Sequence, residues 1–571
     1  MPTETIRRGV QTAAAAPPTW IREFKASLST PGELVGTLFF AASLSPSLLP
    51  RAWLMQGMLS GLALSSGYGI GVAGRWLWSY LELPLPRAPV QRITLWVATT
   101  LCLATAFVFL REASEWQNSI RVLMELEPVD SARPLRVGAI AAAVFTVVLA
   151  VARLFHLTFR YVSRKLGRRI PRRVANVIGL LVSLMIFWSV IDGVVFRFAL
   201  QAADRSFQRV DARMEPDVEA PAAPLRAGSS ESLVAWDDLG RTGRAFVSSG
   251  PTTGDLEAFF GEPLLEPIRV YVGLNAAESI EARAELALQE LRRVGAFDRS
   301  VLVVVTPTGT GWVDPAATSS VEYLHRGDVA SVAVQYSYLP SWLSLIVEPE
   351  YGLETADAVF AAVYSYWREL PRESRPALYL HGLSLGALNS QQASDLYDVI
   401  ADPFAGALWS GPPFRSQTWR ELTRQRDPTS PAWLPRFRDD SVVRFMNQDG
   451  FWGAPESSWG PLRIVYLQYA SDPITFFEPD AFYRSPEWLQ EPRGPDVSDR
   501  LRWYPVVTML QLLADLAVGD TSPPGYGHVY AAEHYVDAWR AVTEPPGWTA
   551  EEVQRLKDLL EARTAAKPQT D

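Results

Sequence analysis

Two patterns of hydrophobic and polar positions divide the chain. Between Glu33 and Leu200 the apolar positions form long runs, approximately 34–49, 53–80, 93–110, 137–155 and 174–196. Each is near the roughly 20 helical residues needed to cross a hydrocarbon core of about 30 Å. They predict about five membrane-spanning helices within 31–200. The first two runs are interrupted by Pro46 and Pro50 and have Arg51 as the only charge between them. A re-entrant hairpin is the alternative there.

Beyond residue 200 the runs shorten. "PIRVYVGL", "SVLVVVT", "VASVAVQY", "ALYLHG", "GALWSG" and "LRIVYLQYA" predict strands, and 279–294 and 355–370 predict amphipathic helices. Strands rich in Val, Ile and Leu without polar alternation are buried on both faces, as in a parallel sheet covered by helices. The expected fold class is therefore α/β, preceded by an all-α membrane region. The boundaries follow: a tail over 1–30, the spans over 31–200, a Pro-, Ala- and Ser-rich linker over 201–235, the α/β domain over 236–550, and a C-terminal helix and tail over 551–571. No internal repeat of fixed period interrupts this order.

Charge sharpens the division. Residues 1–200 hold 21 basic against 10 acidic side chains, so a chain of net charge −9 carries −20 beyond residue 200. An acidic second part without a basic aromatic stripe argues against nucleic acid as a partner. The loop "FRYVSRKLGRRIPRR", in a stretch free of acidic residues from Ser131 to Ile191, is expected to be cytoplasmic. Counting spans from that loop puts the amino terminus inside and everything after residue 200 outside. The small-residue string Gly67, Gly69, Gly71 and Gly74 reads as helix packing and would allow a homo-oligomer through the spans. Asp192 reads as an interface residue. Cys102 stands alone in an apolar run, so no disulfide framework, thiol metal cluster, metal or cofactor is expected.

The chemistry concentrates around "LYLHGLSLGALNS". A bare G-x-S-x-G match is weak, but here a predicted strand precedes Gly382-Leu383-Ser384-Leu385-Gly386 and a predicted helix follows it, the context of a nucleophile elbow. A serine hydroxyl needs a base and an orienting carboxylate. Only His528 and His534 follow Ser384, and His528, in the Pro/Gly loop "PPGYGHVY", is the favoured base. His534 lies within a predicted helix, and His381 reads as a strand-end residue held by hydrogen bonds. Asp472, released by "LRIVYLQYASDP" before Pro473, is the expected acid. A developing oxyanion needs two N–H donors. Leu385 supplies one, and Thr310 or a neighbour in "TPTGTGWVDP" the other. Residues 401–459, with Trp409, Phe414, Trp419, Trp433, Phe437 and Trp452, read as a cap, and Trp342, Leu343 and Leu383 as substrate contacts at an apolar mouth.

Together, "WDDLGRTGRAFVSSGPT", "PIRVYVGL", "TPTGTGWVDP", "EYLHRGDVASVAVQYSYLPSWLS", "GLSLG", "GALWSGPP", "YLQYASDP" and "GYGHVY" resemble a bacterial membrane-anchored alpha/beta-hydrolase family, whose members join an N-terminal multi-span region to a C-terminal catalytic domain. The resemblance runs from about Gly32 to Trp548. It implies an alpha/beta-hydrolase fold with a helical cap insert and Ser384, Asp472 and His528 as a triad. Two features depart from it. Leu383 stands where members often carry an acidic residue, and no final strand is evident between "YLQYASDP" and His528, so a sheet shortened at that edge is expected. The expected activity is that of a membrane-anchored serine hydrolase on a small-molecule or lipid ester or thioester. The alternatives are an acyltransferase of envelope lipids using the same triad, and a non-catalytic membrane transport or assembly module.

Overall fold

A computed structural model describes residues 28–84, 87–190, 193, 211, 214, 219–339, 350–394, 399–454 and 457–566. They fall into two compact units. One comprises the chain to Ser45 with Ala52–Ser114 and Ser131–Ala150, the other Pro46–Arg51, Glu115–Asp130 and everything from Val151.

Among the described residues three helices, Pro89–Arg121, Pro134–Leu166 and Arg172–Ser189, are long and apolar enough to cross a membrane. At most 17 % of their apolar windows is buried, so their surfaces call for a non-aqueous neighbour. These are the third to fifth expected spans; Asp192 lies outside the described residues. The first two differ from expectation. Thr30–Ser43 has 14 residues, about 21 Å of helix, too short to cross. Trp53–Tyr80 has 28 residues, long enough to cross, but is not among the three helices that combine that length with sufficient apolarity.

Those two helices pack closely through glycine. A Cβ on Gly67 would lie 2.7 Å from the Val35 carbonyl oxygen, and one on Gly71 2.3 Å from that of Pro31. Gly69 and Gly74 face open space, so only half of the small-residue string serves this packing. Gln56 Nε2 donates to the Ser43 carbonyl and to Ser60 Oγ, both at 2.9 Å, which satisfies polar groups buried between the helices.

The second unit is built on one sheet. Its strands are β1 (Ile268–Val272), β2 (Val301–Thr306), β3 (Val329–Val334), β4 (Ala377–Leu383), β5 (Gly406–Ser410), β6 (Val443–Asn447), β7 (Gly450–Phe451) and β8 (Arg463–Leu467), in the order β1-β3-β2-β4-β5-β8-β6-β7. All pairings are parallel except β6 with β7. Every residue of β1, β2 and β3 is buried, as their unbroken β-branched runs predict. Helices Ile280–Arg293, Tyr351–Glu369 and Leu385–Ala393 connect successive strands, and Ala532–Thr543 packs on β5 and β8.

Three expectations change here. Residues 401–459 are not all cap: β5, β6 and β7 lie in the sheet, Trp409 belongs to β5, and Gln417–Arg424 is the helix of that stretch. The sheet edge is not shortened. No strand follows β8 among the described residues, yet β6 and β7 pair beyond it and fill that edge. Finally, the end of the linker is packed, because Arg226 bridges to Arg269 of β1 and is only 5 % exposed. Leu48, Leu49, Ile120 and Met124 also belong to the core of this unit.

Candidate active site

β4 delivers Ser384 at the sheet's C-terminal edge in a conformation that L-residues avoid, with φ 57° and ψ −123°, a strain of about 1–3 kcal/mol that surrounding structure must hold. The Ser384 N–H donates to the Ser410 carbonyl at the end of β5 (3.0 Å), and the Ser384 carbonyl accepts from Leu388 N–H (3.1 Å). The flanking glycines are required by contact. A Cβ on Gly382 would lie 2.3 Å from the Gly386 carbonyl carbon, and one on Gly386 2.1 Å from the Thr306 carbonyl oxygen. The second contact also sets the loop after β2 against the first turn of Leu385–Ala393.

Asp472 follows β8 and caps the short helix Pro473–Phe476. Its Oδ1 accepts from Ile474 N–H (2.8 Å), while Oδ2 accepts from His528 Nδ1 (2.7 Å), the Tyr530 hydroxyl (2.8 Å) and Thr475 Oγ1 (3.2 Å). The carboxylate is fully buried. A carboxylate on Nδ1 places the proton there and leaves Nε2 with its lone pair. His528 Nε2 is buried and has no hydrogen-bond partner among the described residues. The imidazole lies against Gly411, next to the residue that holds the Ser384 N–H; a Cβ on Gly411 would be 2.6 Å from His528 Cε1. The structure thus joins Asp472 to His528 and brings the imidazole to the ends of β4 and β5.

The loops that carry Asp472 and His528 are tied together. Gly527 N–H donates to Ser471 Oγ (2.9 Å), which donates to Asp496 Oδ2 (2.5 Å); the same oxygen accepts the Ser471 N–H (3.0 Å). Burial pushes the Asp496 carboxyl above its ordinary range. Tyr530, Ser471 and Asp496 were not anticipated from sequence. The signal for Tyr530 was its place two residues after His528 in the same loop; Asp496 offered none.

His381 and His534 are held by hydrogen bonds within the fold. His381 Nδ1 is 2.8 Å from the Leu408 carbonyl, and burial lowers its pKa to about 4. His534 Nδ1 is 2.6 Å from the Tyr469 hydroxyl and is likewise lowered by burial to about 4.

Leu385, as first residue of its helix, has an N–H without an intrahelical acceptor. In the loop after β2, Pro307 has no N–H, and those of Thr308 and Gly311 are taken by the Trp312 and Thr308 carbonyls. The Thr310 N–H has no hydrogen bond among the described residues, while the carbonyl of the following peptide unit, that of Thr310, accepts from Gln335 Nε2 (3.2 Å) and Thr242 Oγ1 (3.3 Å). Leu383 is buried at the end of β4. Trp342 and Leu343 lie outside the described residues. Among the described residues no group of three or more His, Cys, Asp or Glu is placed to hold a metal.

The sequence profile of a family described as "Alpha/beta-hydrolase family" matches residues 268–556, and that of "Alpha/beta-hydrolase family N-terminus" matches 44–251. The chain belongs to this alpha/beta-hydrolase family. No curated protein and no solved structure matches it. In this alpha/beta-hydrolase, Ser384, Asp472 and His528 all fall inside the 268–556 match, Ser384 directly after β4, Asp472 in the loop after β8, and His528 in a loop between Gly519–Thr521 and the helix Ala532–Thr543.

Proposed function

We propose that this alpha/beta-hydrolase is a membrane-anchored serine hydrolase that cleaves an ester or thioester, with small-molecule or lipid acyl groups as the substrate class. The observation that carries the reading is the 2.7 Å contact of His528 Nδ1 with buried Asp472, which leaves Nε2 unpartnered on a ring that lies against Gly411, next to the Ser410 carbonyl that holds the strained Ser384 N–H. Nε2 takes the Ser384 proton as Oγ attacks the acyl carbonyl, and the Asp472 carboxylate stabilises the imidazolium that forms. The oxyanion is received by the N–H groups of Leu385 and Thr310, at a magnitude of about 3 kcal/mol of barrier per donor. Nε2 then gives its proton to the leaving alcohol or thiol. Water, deprotonated by the same nitrogen, releases the acid.

Leu383 and Leu385 around the serine, and the three apolar helices, support an apolar substrate presented at a membrane. The basic stretch 160–173, at the facing ends of Pro134–Leu166 and Arg172–Ser189, supports an orientation with the catalytic domain outside the cytoplasm. The test is labelling of detergent-solubilised protein with a fluorescent fluorophosphonate. Labelling of the wild type, absent in Ser384→Ala, is expected. A folded wild type that stays unlabelled would overturn the serine-nucleophile reading.

A further inference from the structure

The helix Gln417–Arg424 and the segment 474–488 enclose a cavity of about 550 Å³, within the size range of small-ligand sites. Neither Ser384 nor His528 lines it. Phe414, Trp419, Phe476 and Trp488 form an aromatic wall, and Arg415 and Arg420 stand at its rim.

Two buried donors in the lining lack an acceptor: Trp488 Nε1 and Thr423 Oγ1. The first is the more telling. Trp488 is 2 % exposed, and a buried indole N–H ordinarily finds a partner. Its neighbours do: Trp419 Nε1 donates to Gln468 and Trp433 Nε1 to the Pro492 carbonyl, each at 2.7 Å. The charges in the lining are also unbalanced toward an anion. Glu487 is engaged by Arg426 at 3.2 Å and Arg484 at 3.8 Å. Burial, with Glu487 and Asp480 nearby, pushes the Glu478 carboxyl up to about 7, so much of it is uncharged at neutral pH. Arg415 and Arg420 form no ion pair with a carboxylate among the described residues, so two exposed guanidinium groups of the lining are left for an anion.

We infer that this cavity is a second binding site, for an amphiphile with an aliphatic chain and a carboxylate or phosphate head: the chain would lie on the aromatic wall, and the head would accept from Trp488 Nε1 and pair with Arg415 and Arg420. Guanidinium groups suit both kinds of oxyanion. Thr475, whose hydroxyl donates to Asp472, lines the same cavity, so an occupant touches the turn that carries the acid. The inference does not depend on Ser384 being a nucleophile.

The test is isothermal titration of the detergent-solubilised full chain with octanoate, octyl phosphate and inorganic phosphate, each referenced against empty micelles. Three variants accompany it: Trp488→Phe, which keeps the buried ring and removes the N–H; Arg415→Glu with Arg420→Glu, both exposed; and Ser384→Ala. Saturable binding of octanoate, octyl phosphate or both is expected, and which of the two binds distinguishes a fatty acid from a phospholipid-type head. The affinity should fall about tenfold or more in the double variant and several-fold in Trp488→Phe, and stay unchanged in Ser384→Ala. Equal affinity in wild type and both cavity variants would overturn the site, as would octanoate and octyl phosphate binding that disappears in Ser384→Ala. Inorganic phosphate binding as tightly as octyl phosphate would overturn the assignment to an amphiphile.

Discussion

Tyr530 places a second donor on the oxygen of Asp472 that already holds the His528 imidazole. Burial and the adjacent Asp472 charge push its own ionisation far upward, so it is a phenol at every working pH and only donates. A donor on a carboxylate favours the charged, less basic state. Tyr530→Phe removes that donor and loosens the carboxylate that orients His528, so the fluorophosphonate labelling rate is expected to fall several-fold. A labelling rate equal to that of the wild type would remove Tyr530 from the site. His381 gives the opposite kind of prediction, one of stability. Its folded pKa of about 4 lies below the 6.5 of the unfolded chain, so between those values the unfolded chain holds a proton that the native state lacks. Stability present above pH 6.5 is therefore lost as pH falls toward 4. His381→Asn keeps a donor near the Leu408 carbonyl and removes the titration. Its melting temperature should fall less than that of the wild type between pH 7.5 and 5, by the equivalent of about 2 kcal/mol at pH 5; parallel curves would show that His381 contributes nothing to acid lability.

At the scale of elements, the junction of β4, the elbow and the helix Leu385–Ala393 was legible because each part has a local cause: an unbroken apolar run, two glycines and a helix start. Gly386 shows how strict the junction is. Its missing Cβ would stand 2.1 Å from a backbone oxygen of the next strand's loop, a clash that only movement of β2 or the helix could relieve. Gly386→Ala should destabilise by about 3 kcal/mol or more and abolish fluorophosphonate labelling with Ser384 intact; full labelling at an unchanged melting temperature would contradict this geometry. β6 was not legible. "VRFMN" is short and carries Arg444 and Asn447, so its apolar pattern is weak, and only its pairing with β8 makes it a strand. The tie between the acid and base loops was hidden for another reason, since Ser471, Asp496 and Gly527 are far apart in sequence and meet only in the fold. Ser471→Ala would leave the Gly527 N–H without its acceptor. We expect turnover of an ester substrate to fall about tenfold with little change in KM, because the effect is on where His528 stands. A change confined to KM would instead place Ser471 in substrate binding.

At the scale of the whole molecule, a catalytic domain beginning near residue 236 is too small a description. The unit that holds the sheet also contains Pro46–Arg51 and Glu115–Asp130. "PSLLPR" reads in the sequence as a break between two hydrophobic runs, yet Leu48 and Leu49 are at most 1 % exposed in the core of the sheet-bearing unit. Ser47 Oγ and Leu48 N–H donate to Asp515 at 2.9 and 3.1 Å, with Arg51 Nε 3.9 Å from the same carboxylate. Burial raises the Asp515 carboxyl to about 6, against the pull of Arg51, so the group depends on these donors. The segment also reaches the base: a Cβ on Gly527, the residue before His528, would lie 3.1 Å from Leu49 Cδ2. A chain starting at residue 219 would expose the surface under Leu48 and Leu49, at about 1.5–3 kcal/mol each, and would leave a buried carboxylate without its partners, at about 3–5 kcal/mol. Together these are comparable to the whole stability of an ordinary domain, about 5–15 kcal/mol. The truncated chain is expected to be insoluble or to melt well below the full-length protein, and any soluble fraction to label poorly with fluorophosphonate because the His528 loop has lost its support. In the full chain, Leu49→Ala should lower the melting temperature by the equivalent of about 2–5 kcal/mol. Full labelling and an unchanged melting temperature in the truncated chain would show that the catalytic unit is complete without residues 46–51 and 115–130.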